Sequence, residues 1–160
     1  MDKTIKLFAS LKELGISPKM ETFIERKKVQ KTVYLLDKTF GLNFGYSYNW
    51  YLHGPYSPEV TKIIYGVLEG ESRQNAALNH DCLPEEDLEK IKRMKAFLGD
   101  DLNSTDELEL LASIQFLLDC IGKSSSRDNE IIAFLNEKKP YFSIGEIKAA
   151  IQRLRRLESQ

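Results

Sequence analysis

The chain has 160 residues, 42% hydrophobic and 29% charged, with a formal net charge of −1. That balance excludes a disordered tail and a membrane-embedded class, and the length supports one ordinary domain with its own core. Two cysteines exclude a disulfide framework, and a near-neutral total leaves little electrostatic footprint for nucleic acid.

The opening stretch MDKTIKLFASLKELG is broken by Lys6, Lys12 and Glu13, so it lacks the apolar core of a secretory signal. No run approaches the roughly 18 apolar residues of a membrane span, and the expectation is a cytoplasmic protein. Ile5, Leu7, Phe8, Leu11 and Leu14 recur at helical spacing and predict a helix over about 2–14, closed by Gly15.

Met20, Phe23, Ile24, Val29, Val33, Leu36 and Phe40 predict a second helix, starting between 19 and 26 and ending before Gly41. Its first turns carry Arg26, Lys27, Lys28 and Lys31, and residues 1–70 hold ten Lys or Arg against seven Asp or Glu. The helix dipole disfavours cations at this end, so the group reads either as a solvated face or as a binding patch.

Phe44, Tyr46, Tyr48, Trp50 and Leu52 alternate with mostly polar residues and predict a strand with one aromatic face, broken by Gly54-Pro55. Ser57, Pro58 and Glu59 then open a helix over 58–69. Residues 69–83 have no period and read as a loop or a weak hairpin. Beyond them helices are predicted from Pro84 to Leu98, from Ser104 to Ile121, from Ser126 or Asp128 to Leu135, and from Ser143 through Leu157. Ser104 with Glu107 and Ser143 with Glu146 have capping-box spacing.

The fold class expected from this order is mainly α with a small β-sheet. It consists of a winged-helix-like core over 1–70 and a helical extension over 84–160, in a single domain.

Chemistry is sparse. His53 beside Gly54-Pro55 reads as a strand-end side chain bonded to the turn, or less plainly as a base or ligand. His80-Asp81-Cys82 is too compact for a zinc set, and no metal or other cofactor is expected. Phosphate-loop, dinucleotide and nucleophile-elbow motifs are missing from the sequence, so no enzyme is predicted.

Lys27-Lys28-Val29-Gln30-Lys31 with Tyr34-Leu35-Leu36, followed by Tyr51-Leu52-His53-Gly54-Pro55-Tyr56-Ser57-Pro58, resembles the YwgA-like family of bacteria and archaea. It is more distantly similar to the Panacea domain of SocA-like antitoxins. The match covers about residues 26–65, with Val29 where those families more often have Leu. The YwgA-like resemblance implies almost nothing about activity. The Panacea resemblance implies a non-enzymatic domain that binds a protein, a toxin in the antitoxin case, or hands it to a protease as an adaptor.

Lys27, Lys28, Lys31, Tyr51, His53 and Tyr56 are accordingly the candidate partner-binding residues. The alternative is a winged-helix DNA-binding transcriptional regulator, with weak, salt-sensitive contacts from the basic cluster.

Overall fold

The computed structural model describes residues 2–70 and 83–159. Local chemistry sets most element ends. Asp2 accepts from the backbone N–H groups of Thr4 and Ile5 and starts α1 (Lys3–Glu13), and Gly15 leaves it at φ 81°. Thr22 and Glu25 form a reciprocal capping box for α2 (Phe23–Tyr34), which runs on as a π-turn over Leu35–Thr39. Phe23 and Ile24, assigned to the buried stripe from their spacing, are exposed because they occupy the first turn, ahead of the packed part of the helix.

Ser57 caps α3 (Pro58–Leu68). The later helices are α4 (Glu85–Leu98), α5 (Thr105–Ile121), α6 (Asp128–Lys138) and α7 (Ile144–Glu158). The Ser143–Glu146 box is complete. At Ser104 only half forms, because Glu107 accepts instead from Arg153 at 3.0 Å.

The architecture is mainly helical, with a two-stranded antiparallel sheet of β1 (Asn49–Tyr51) and β2 (Gly54–Tyr56). The aromatic alternation is real as sidedness: Leu42, Phe44 and Tyr46 are buried, while Gly45, Ser47 and Asn49 are exposed. Most of that segment is irregular chain, with Asn43 at φ 55° and Gly45 at φ 82°. Only its end finds a second strand, and a ladder needs two.

Gly54-Pro55 does not break the strand. It forms the partner strand, with Pro55 opposite Trp50 and Leu52-His53 as the two-residue turn. Leu52, expected on the buried face, sits on that turn and is 83% exposed.

Helix α2 is central. Every residue from Val29 to Asp37 is buried, polar ones included. The spacing of Val29, Val33, Leu36 and Phe40 correctly marks an apolar face. The main neighbour of α2, however, is α5, itself buried from Leu108 through Gln115, rather than α1 or α3.

Core side chains from Leu7 to Leu157 join in one cluster that spans both halves. Asp37 ties the aromatic segment to α2 by accepting from the Phe44 N–H at 3.0 Å and the Tyr48 hydroxyl at 3.2 Å. Among the described residues no helix is long and apolar enough to cross a membrane. Most of the loop expected over 69–83, with His80, Asp81 and Cys82, lies outside the described residues.

Candidate functional site

The two halves of the motif over 27–60 are bolted to each other. Gln30, buried on α2, donates from Nε2 to Ser57 O at 2.8 Å and to Thr61 Oγ1 at 2.7 Å, and its Oε1 accepts from Ser57 N–H at 3.0 Å. All its polar atoms are therefore satisfied without water, as burial requires. Lys31, one residue on, donates from Nζ to Pro55 O at 2.7 Å. The helix thus holds the hairpin and the start of α3 by their backbones, and the Gln-Lys pair sets where the turn residues stand.

Gly54 is required there twice over. Its φ is +95°, and a Cβ would lie 2.6 Å from Ser113 Oγ on α5. Gly54→Val is expected to lower stability by about 1–3 kcal/mol from strain and overpacking together. Adding Ser113→Gly should recover the steric part only. An unchanged denaturation midpoint in the single variant would show that the turn relaxes freely.

Beneath the hairpin lies a buried ionic cluster. Glu109 of α5, 0% exposed, pairs with Lys27, accepts from Lys139 Nζ at 2.9 Å, and accepts from the Tyr141 hydroxyl. Burial pushes the Glu109 carboxyl up, but hydrogen bonds from Lys27, Tyr141 and Lys139 outweigh it and leave its pKa below the usual value. Burial lowers the Lys139 ammonium. Lys31 comes down to about 7, mainly by burial, with Glu109 opposing and Lys139 and Lys27 reinforcing the fall.

The basic group expected on one surface is therefore divided by helical geometry. Lys27 and Lys31, one turn apart, face inward, and Lys31 is 2% exposed. Lys28 points elsewhere, to Asn103 at 3.3 Å. Arg26 turns back to the carbonyls of Met20 and Glu21.

Above the cluster opens a cleft of about 340 Å³. Its lining includes Lys27, Lys31, Tyr51, His53 and Tyr56, five of the six residues proposed from sequence; Lys28 is outside it. Phe23 lines it too, edge-on to His53 at 4.8 Å, and Tyr51 meets Tyr56 edge-on at 5.2 Å. The hydrogen bond from His53 to the turn is not formed. Its Nδ1 is buried with no partner among the described residues, and burial, with the charge of Lys27, holds its pKa below the ordinary value.

Trp50 is not part of the cleft lining. It packs on Phe116 and Phe134, with the Lys139 ammonium 5.4 Å from its ring.

Glu109, Lys139, Tyr141 and Gln30 are the site residues that sequence reasoning missed. An acid inside the apolar run Leu108–Leu111 is a usable signal for Glu109, and Gln30 lies within the Lys27–Lys31 motif, whereas nothing local marks Lys139 or Tyr141.

The arrangement offers ammonium donors at the floor and aromatic surface at the rim. The chain matches no protein-family model, no curated protein and no solved structure.

Proposed function

We propose that this is a non-enzymatic protein-interaction domain of the cytoplasm, antitoxin-like or adaptor-like as the resemblance of residues 26–65 implies, which receives its partner at the hairpin cleft. The observation that carries the reading is the gathering of Phe23, Tyr51 and Leu52 around one opening, 48%, 46% and 83% exposed. Exposed apolar side chains scattered singly need no explanation, but a group of them with aromatic anchors over a rigid support suits a protein partner. The support is rigid because Gln30 and Lys31 fix the hairpin backbone.

The winged-helix regulator reading draws on the same cations, and two of them are turned inward, Lys27 onto Glu109 and Lys31 onto Pro55 O. Duplex DNA binding is accordingly expected to be weak and to fall steeply with salt.

The test is co-purification of an identified partner with wild type, with Tyr51→Ala/Leu52→Ala, and with Lys28→Glu. The double variant should lose the partner at least tenfold with an unchanged melting temperature, because both side chains stand in solvent. Lys28→Glu, off the cleft, should retain it. Retention by the double variant would place the interaction surface elsewhere, and tight, salt-resistant binding of duplex DNA would favour the regulator.

A further inference from the structure

We propose that the cleft captures the free C-terminal carboxylate of its partner, with an apolar last residue against the aromatic rim. This deepens the protein-interaction reading and rests on it.

The charge inventory comes first. Arg26, Lys27 and Lys31 line the cleft and no acid does. Behind them Lys139 and Lys27 share the single carboxylate of Glu109. Three lysines share that one carboxylate, and burial has already brought Lys31 down to about 7, so an anion arriving in the cleft is the complement that would let Lys31 carry its charge.

Donors remain to receive it. Once protonated, Lys31 Nζ has three N–H groups and, among the described residues, spends one on Pro55 O. His53 stands in the same lining.

The rim says what the anion is attached to. Phe23, Tyr51 and Leu52 surround the opening, so a bare inorganic ion would leave the apolar part of the site wet. The volume of about 340 Å³ lies at the small end of ligand pockets, which run to roughly 300–1,000 Å³. It admits the end of a chain rather than the face of a helix about 10–12 Å across.

A terminal carboxylate and the last side chain branch from the same carbon. One can therefore reach the lysines while the other stays against the rings. An internal Asp or Glu would bring two continuing arms of backbone into the same space.

Protonation follows from occupancy. The groups facing Lys31 are Glu109, Lys139 and Lys27, with His53 and Arg26 in the lining and Tyr141 beyond Glu109. An arriving carboxylate favours the charged form of Lys31 and should draw a proton onto it.

The experiment is calorimetric titration of the full chain with acetyl-Ala-Ala-Leu-Phe as the free acid, the same peptide as its C-terminal amide, acetyl-Ala-Glu-Phe-Ala-amide, and inorganic phosphate. The free acid is expected to bind at least tenfold more tightly than the other three. It should bind about fivefold or more tightly at pH 6.5 than at pH 8.5 as Lys31 recharges, with proton uptake visible between buffers of different ionisation enthalpy. Lys31→Met should abolish the preference for acid over amide, while Lys28→Glu leaves it intact; circular dichroism checks that both variants are folded.

Equal binding of acid and amide, or of the internal-acid peptide, overturns the proposal, as does no binding of the free acid at millimolar concentration. Should the peptide fail while Tyr51→Ala/Leu52→Ala still loses the natural partner, the carboxylate inference falls and the interaction reading stands. Should the double variant keep its partner, the interaction reading itself falls.

Discussion

Glu109→Leu is expected to destabilise the protein by about 3–5 kcal/mol, because it leaves buried ammonium groups without their counter-ion. Glu109 is fully buried and is the acceptor for Lys139 and Tyr141 as well as the ion partner of Lys27. The size of the loss reflects the stranded charges rather than the worth of the ion pairs. The combined variant Glu109→Leu/Lys27→Met/Lys139→Met should therefore recover much of it, since apolar replacement of a whole buried ionic group is often neutral. Urea denaturation at pH 7 checks both, with the slope held constant to ensure that the same surface unfolds. A loss below about 1 kcal/mol in the single variant would mean that water reaches the cluster and solvates the lysines.

Lys31 makes stability depend on pH in the direction opposite to a paired lysine. Its folded pKa is about 7 against an ordinary 10.5. Between those values the unfolded chain holds a proton that the folded one does not, so stability rises with pH. Below about pH 7 both states are protonated and the full cost of the buried charge is present. As pH rises through 7 toward 10.5 that cost is relieved, at up to about 1.4 kcal/mol per unit and about 4–5 kcal/mol in all. Lys31→Met removes the titration. Its stability relative to wild type should be most favourable near pH 7 and decline steadily to pH 10. The lost bond to Pro55 O adds an offset that does not vary with pH. A difference that stays flat across this range would mean that Lys31 titrates as a free lysine does. Lys139, also lowered by burial, titrates in both proteins and largely cancels from the comparison.

The readable part of the chain was read through local chemistry. Gly15, Gly41 and Gly122 end helices because each has a positive φ, and Ser57-Pro58 and Ser143 with Glu146 start them with bonds that close within one turn. The aromatic alternation reported correctly which side of residues 42–50 is buried, since sidedness is written in period two whether or not a ladder forms. It could not report the ladder, which depended on Gly54–Tyr56 returning alongside. The cleft itself was half legible: Tyr51, His53 and Tyr56 were marked by the motif, and Lys27 and Lys31 by their charge.

By itself, then, the sequence determined the helix punctuation, the mainly helical class with a small sheet, and the identity of five of the cleft's eleven lining residues, because caps, turn glycines and periodicity act over a few positions. Only the tertiary structure decided that Lys27 and Lys31 face inward while Lys28 does not. It alone brought Glu109 and Lys139 from the C-terminal half to meet them, and left Leu52 in solvent on the tip of a turn. Whether a charge is solvated or buried depends on what packs over it, and here that cover comes from helices far along the chain, beyond the reach of any local signal.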